Sequence, residues 1–376
     1  MADRAENALS VYRKCVLSVK DADNKLWIEE NSKGEKMKKR MISWMLAGML
    51  VLQTPTVAFA QAWEKENGVY VNASGGVIEN VMARGITVSK YQGEIDWKKV
   101  AEDDVSFAMI RLGYLDSPDP TFDRNMREAA ANGVDAGIYL YSQALTVDEA
   151  RKEAEYTVKN AISYRVTYPV VIDLESQYLL DSGLSRQELT DIANAFCKTV
   201  QDAGYYPMIY VNDNWLKNYI DPAQIPYDIW YGRYKDLTME EIPDHVGIWK
   251  STATGNVDGI AGNVCLEFAF QDYKNKVAKD AWHKIDNQWY YCKNGERQMG
   301  WIWLEGKWYY LDPQQQGAMA AGKTMLVDGV FCQFKEDGSW ILEYEGQTPP
   351  QTTLTPSQCT GNMVSGQPGG PLSAAQ

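Results

Sequence analysis

The strongest constraint on this chain is an alternation, sustained from about residue 84 to residue 273, of short apolar segments with helix-patterned ones. Gly85–Ser89, Phe107–Arg111, Val134–Tyr141, Pro169–Glu175, Pro207–Val211, Asp228–Tyr231, Val246–Lys250 and Val264–Phe268 have the length and apolar content of strands. Between them, Thr146-Val147-Asp148-Glu149 reads as a capping box ahead of Ala150, Ala154, Val158 and Ala161 at helical spacing. Ser185-Arg186-Gln187-Glu188 reads as a second, ahead of Leu189, Ile192, Phe196 and Val200. Strands that alternate with helices pair mainly in parallel, in an open doubly wound sheet or a closed barrel. Eight of them predict an α/β fold of the closed kind, an irregular TIM-like (β/α) barrel over residues 84–274.

The flanks have different characters. Met37-Lys38-Lys39-Arg40, the apolar run Ile42 to Leu52, and Ala58-Phe59-Ala60 are the three parts of a signal peptide, read here as residues 37–60. The run is shorter than the roughly 20 residues that span a bilayer, so no membrane association is expected after cleavage. Polar residues 1–36, in front of such a signal, are read as an upstream extension foreign to the native protein, and 61–83 as a connector. After Asp280 the chain repeats itself: Trp282 and Trp289-Tyr290-Tyr291 recur nineteen residues later as Trp301 and Trp308-Tyr309-Tyr310. Asn287-Gln288 and Gly306-Lys307 are the expected turns, and a weaker third copy runs from Gly317-Ala318-Met319 to Asp328-Gly329-Val330-Phe331. Residues 281–345 are therefore expected to be a small β-hairpin solenoid, whose units cannot bury their rings alone, and 346–376 a disordered tail.

Composition narrows the chemistry. A formal charge of −13 removes nucleic acid from the expected partners, because phosphate recognition needs a basic face. With His245 and His283 the only histidines, neither an imidazole metal site nor a Ser-His-Asp triad assembles easily, so no cofactor is expected and carboxylates must carry acid/base work. The six cysteines, Cys15, Cys197, Cys265, Cys292, Cys332 and Cys359, are dispersed; a Cys292–Cys332 disulfide and free thiols both fit. Trp and Tyr far outnumber the 8 Phe, favouring rings with a polar edge, suited to sugars or cations.

Pro169 to Glu175 is the most informative stretch: an apolar strand ending in two acids. Alternation puts Asp173 and Glu175 on one side, at the strand end where barrel enzymes keep their active sites. Paired acids there point to glycoside hydrolysis, and equally to two ordinary acids at a solvated strand end. Arg111, Tyr139, Tyr141, Trp249 and Gln92 are read as cleft residues, with core packing or turn formation as the plain alternative; Tyr210 and Trp230 fit core or cleft alike. Asp96 and Asp123 read as helix caps.

Gly85-Ile86-Thr87-Val88-Ser89, Gln92-Gly93, Ile95-Asp96-Trp97, Ile110-Arg111-Leu112-Gly113, Phe122, Asn125, Gly137-Ile138-Tyr139-Leu140-Tyr141 and Asp173-Leu174-Glu175 resemble, in order, the motifs of glycoside hydrolase family 25 lysozymes. Ile229-Trp230-Tyr231, Ile248-Trp249, Val257-Asp258-Gly259-Ile260 and Gly262-Asn263-Val264 extend the resemblance to about residue 273. It implies a barrel that cleaves the β-1,4 bond between N-acetylmuramic acid and N-acetylglucosamine in peptidoglycan, with Glu175 as general acid and Asp173 assisting. Two departures stand out: Thr87 and Cys265 occupy positions where the family carries Asp. Their loss implies reduced or shifted activity, with substrate assistance by the sugar's own acetamide as a route that remains.

The repeats resemble choline-binding and related wall-binding hairpins. The resemblance implies that Trp282, Trp289, Tyr290, Trp301, Trp308 and Tyr309 form cages for choline-bearing teichoic acid or another wall polymer, each ring contact contributing about 0.5–2 kcal/mol. The whole then reads as a secreted, cell-wall-associated muramidase. The alternatives are a noncatalytic wall-binding protein on a degenerate barrel and a hydrolase of another amino-sugar polymer.

Overall fold

Side-chain parity explains how the apolar segments close on themselves. The computed structural model describes residues 63–72, 76–114, 117–234, 242–243, 245–343 and 347–350. The upstream extension, the signal peptide and the tail beyond residue 350 lie outside the described residues. Three short strands, β1 (Trp63–Glu66), β2 (Val69–Asn72) and β3 (Val77–Ile78), form an antiparallel sheet in the stretch read as a connector. Tyr70 ties it to the barrel: its hydroxyl donates to Asp104 at 2.6 Å and its ring lies 4.9 Å from that of Phe268.

The barrel strands are β4 (Ala83–Val88), β5 (Phe107–Tyr114), β7 (Asp135–Tyr141), β8 (Val170–Asp173), β9 (Pro207–Asn212), β10 (Asp228–Gly232), β11 (Val246–Gly255) and β12 (Val264–Ala269); β6 (Ser117–Pro118) is a short flap on β5. They run in the order β4-β12-β11-β10-β9-β8-β7-β5 and close through a β4–β5 pairing. Every pairing is parallel except β11–β12 and β12–β4. The eight expected strands thus make the expected barrel, with one reversal. Because β12 runs backwards, its first residues reach the end of the barrel where the parallel strands finish.

Alternate residues feed two cores. Ile110, Ile138, Ile172, Val211, Tyr231, Trp249 and Phe268 face the surrounding helices, while Phe107, Met109, Val171, Met208, Trp230 and Ile248 fill the barrel interior. The helices are α1 (Trp97–Glu102), α2 (Phe122–Ala131), α3 (Val147–Ala161), α4 (Gln177–Asp181), α5 (Arg186–Asp202), α6 (Asp213–Asn218) and α7 (Tyr273–Lys276). Ser185 and Glu188 form the expected reciprocal box at α5. At α3 only half a box forms: Thr146 caps Glu149, but the Glu149 carboxylate turns to the Leu145 N–H instead. Asp96 caps α1, whereas Asp123 lies inside α2 and accepts from Tyr164 and Arg127.

The aromatic repeats are hairpins: β13 (Ala281–Ile285) with β14 (Gln288–Lys293) and a short β15 (Glu296–Arg297), β16 (Gly300–Leu304) with β17 (Lys307–Asp312) and β18 (Ala318–Met319), and β19 (Thr324–Val327) with β20 (Val330–Gln333). The first two turns sit one residue earlier than predicted, at Asp286-Asn287 and Glu305-Gly306, both with positive φ. A two-residue turn of this kind needs the left-handed conformation at both centres, which Asp-Asn tolerates and the β-paired Gln288 does not have to adopt. Cys292 and Cys332 are both buried and free.

The first hairpin docks on the end of the barrel where the parallel strands begin. Lys284 N–H donates to the Ala203 carbonyl at 3.3 Å, the His283 ring lies 4.2 Å from that of Tyr205, and Ile285, Tyr290 and Cys292 join the outer core. Gly204, at φ +89°, makes the approach feasible: a Cβ there would stand 2.4 Å from the Trp282 carbonyl oxygen.

Candidate active site

At the other end of the barrel, the inward positions of the strand ends are polar rather than apolar. Asp173 closes β8 and is almost fully buried. Its Oδ1 accepts the Glu175 N–H at 2.9 Å, so the two acids are locked to each other through the backbone. Glu175 lies just past the strand and is exposed. From β9, the Tyr210 hydroxyl donates to Glu175 Oε2 at 2.9 Å and Asn212 Nδ2 donates to Oε1 at 2.7 Å. Both oxygens of the outer acid are therefore oriented by neutral donors, while the inner acid sits in low dielectric. Burial pushes the Asp173 carboxyl up to about 7; Lys250 pulls the other way and Glu175 adds to the rise.

The floor of the site holds a third carboxylate that the sequence reading passed over. Glu267, on β12, is wholly buried and faces inward. Thr87 Oγ1 donates to its Oε1 at 2.5 Å and Trp230 Nε1 to its Oε2 at 2.8 Å. Burial raises Glu267 to about 7 against the pull of Lys250 and these donors. Thr87 is therefore more than a missing acid: it serves a carboxylate two residues beyond Cys265, on the same face of the strand. Cys265 itself pairs with Thr87 across β12 and β4, and burial raises its thiol. The period-2 rule that joined Asp173 to Glu175 applies equally to Cys265 and Glu267 and was the available signal.

The other expected cleft residues divide. Tyr139 faces inward, its ring 5.6 Å from Trp230, and burial keeps it a phenol. Tyr141 is the register partner of Asp173, at the rim, with burial pushing its hydroxyl up to about 12. Arg111 is engaged by Asp119, through Nε at 2.9 Å and Nη2 at 2.5 Å, and lies over the Tyr91 ring. Gln92 closes a capping box at a single 3₁₀ turn, accepting from Ser89 N–H. Trp249 is a correction: it points outward, fully buried against Phe268, with Nε1 donating to the Arg233 carbonyl. Parity decides this, since Ile248 and Lys250 take the inward positions of β11. Tyr210 and Trp230, left open by the sequence, both face the barrel interior, 4.5 Å apart.

The aromatic repeats divide as well. Trp282 meets Trp289 at 6.5 Å, Tyr291 at 5.1 Å and Tyr309 at 5.4 Å, bridging the first two hairpins. Trp289 is exposed, and the Lys284 ammonium lies over its ring. Tyr290 instead packs into the barrel-side core. Trp301 is enclosed by Tyr310, Phe334 and Trp340, with its Nε1 buried and unbonded, so it builds the third unit's core and no open cage. Trp308 pairs with Trp303, an exposed ring that the repeat pattern did not single out.

A closed α/β barrel with carboxylates gathered in an aromatic mouth is an arrangement on which glycoside hydrolysis can be built. Comparison with known proteins points to one family: residues 86–260 match the model of glycosyl hydrolases family 25. "Uncharacterized protein YegX" of Escherichia coli O157:H7 is 26% identical over 191 residues, which cover 48% of this chain and 66% of that protein. Lysozyme M1 of Streptomyces globisporus is 25% identical over 197 residues, covering 48% and 65%. The chain thus spans just under two thirds of the length of these relatives. Among solved structures, the modular autolysin LytC from Streptococcus pneumoniae superposes with a TM-score of 0.50 at 24% identity, over 55% of this chain and 52% of that one, and shares the fold.

Proposed function

We propose that this protein is a secreted peptidoglycan hydrolase that cuts the β-1,4 bond between N-acetylmuramic acid and N-acetylglucosamine. The observation that carries the reading is the Asp173–Glu175 pair, with the outer carboxylate exposed and oriented by Tyr210 and Asn212 and the inner one buried behind it. Glu175 in its acid form protonates the glycosidic oxygen as the bond from C1 breaks. The 2-acetamido oxygen of the same sugar bonds to C1 in that step, with Asp173 accepting from the acetamide N–H. Water then attacks C1, the acetamide leaves, and Glu175 takes the water's proton. Thr87 and Cys265 do not block this route, because neither acid they replace supplies or accepts the transferred proton. The hairpin module is read as the wall anchor, its open face formed by Trp282, Trp289 and Tyr309, suited to a cation such as the choline of teichoic acid.

The test is release of reducing ends from purified peptidoglycan by the wild-type chain and by Glu175→Gln. Reducing muramic-acid ends that fall by about 10³-fold or more in the variant would support the reading, given what loss of a general acid together with its charge removes. A silent wild type that still sediments with the wall would leave a binding protein on a barrel that has lost its chemistry.

A further inference from the structure

Lys250 is the inward side chain of β11 and is buried in the floor of the mouth. Its strand neighbours are Gly232 on β10 and Glu267 on β12. The ammonium rests on two ring faces, 4.2 Å from the centroid of Tyr210 and 4.6 Å from that of Trp230. Those rings are the ones that donate to Glu175 and Glu267. One cation thus lies behind both donors and beside two buried carboxyls, Asp173 and Glu267.

A buried ammonium is costly unless anions face it. Here burial works against the charge, and the groups that can face it as anions near neutral pH are the carboxyls of Glu267 from β12 and Asp173 from β8, since burial holds Cys265, Tyr234 and Tyr139 in their neutral forms. In return Lys250 favours the ionised forms of Asp173 and Glu267, opposing the burial of each. Asp173 also faces Glu175, which disfavours its charge, and Arg111 from β5, already engaged by Asp119. Lys250 is the cation that both carboxyls face, so its charge acts on each of them.

We propose that Lys250 is a positioning residue for glycosidic cleavage: its ammonium, seated on the Tyr210 and Trp230 rings beside Glu267, draws Asp173 and Glu267 toward their ionised forms against the pull of burial, so that Asp173 accepts from the substrate while Glu175 serves as the acid. The proposal rests on the hydrolase reading given above. Its role is to supply, with one cation, an ordering of charge in a mouth from which Thr87 and Cys265 have removed two carboxylates.

The experiment follows side-chain carboxyl carbon shifts against pH in the full-length protein, in wild type, Lys250→Met and Lys250→Arg, with peptidoglycan cleavage profiled on the same samples. The resonances are assigned through Asp173→Asn and Glu267→Gln. The expected result is that Lys250→Met moves the ionisation of the pair up by about one pH unit or more, that Lys250→Arg restores it, and that about tenfold of kcat at neutral pH is lost in the Met variant with KM nearly unchanged. Carboxyl titrations unmoved in Lys250→Met overturn the proposal; so does a rise in KM without movement of the acid limb, which would make Lys250 a substrate-anion contact. Lys250→Gln, with a polar head, serves if the Met variant does not fold. A wild type that cleaves nothing, but whose carboxyl titrations respond to Lys250, upholds the ionisation role and overturns the hydrolase reading alone.

Discussion

Asn212 shows how much one side chain at this site is asked to do. Its Nδ2 orients Glu175, and its Oδ1 accepts the Trp215 N–H at 3.0 Å as the N-cap of α6. The two duties can be separated. Asn212→Asp keeps a cap acceptor but replaces the donor on Glu175 with a like charge, so the expected outcome is near-native melting with cleavage reduced by about tenfold or more. Asn212→Ala loses both, adding about 1 kcal/mol of destabilisation in chemical denaturation. Equal melting losses in the two variants would mean that the amide group matters mainly to packing. Thr87 and Trp230 form a comparable pair: each gives Glu267 one of its hydrogen bonds, and a buried carboxyl with fewer donors costs about 1–3 kcal/mol per lost partner.

At the scale of elements, the link between barrel and repeats is a hairpin that sits on the loop between α5 and β9. Gly204 is the close contact in that joint. Gly204→Ala must strain a left-handed backbone and push a methyl group at the Trp282 carbonyl, whereas Gly183, at φ +76° with open space around it, would bear the backbone strain alone. Gly204→Ala is therefore expected to lower the melting temperature more than Gly183→Ala and to expose the chain near residue 280 to protease. Similar losses in the two would show that the hairpin yields without cost.

Over the whole molecule, buried titratable groups pull stability in opposite directions as pH changes. His283, under the first hairpin, is held neutral: burial takes it from the ordinary 6.5 to about 4, opposed by its contact with the Ala203 carbonyl. A carbonyl only accepts, so Nδ1 carries the hydrogen. Because its folded value is depressed, the stabilisation from neutral His283 is present above about 6.5 and is lost as pH falls toward 4, by roughly 3 kcal/mol at the limit. Asp173, Glu267 and Glu153, each raised to about 7 first of all by burial, behave the other way: their contribution is present below their ordinary values and is lost as pH rises through 7. Acidification from pH 7 to 5 is expected to loosen the hairpin while firming the barrel. Tryptophan fluorescence of the repeats and melting of the barrel would report the two separately, and His283→Phe should remove the acid loosening. A hairpin that stays docked at pH 5 in wild type would refute this.

The eight strands, the two helix caps, the hairpin repeats and the Asp173–Glu175 strand end were all legible in the sequence, because each rests on periodicity or on residues close together along the chain. Alternation served for Asp173 with Glu175; the same rule, applied to β11, turns Trp249 outward between the inward Ile248 and Lys250, against its reading as a cleft residue. What the sequence could not order was the partnership across strands. Glu267 with Thr87 and Trp230, Lys250 over Tyr210 and Trp230, and Tyr290 under the barrel join residues as far as 180 positions apart only once the barrel closes and β12 enters it backwards. A lone Lys or Glu in an apolar strand reads as a misfit. It becomes a site when closure puts charges of opposite sign into one dry pocket, where each determines the protonation of the others.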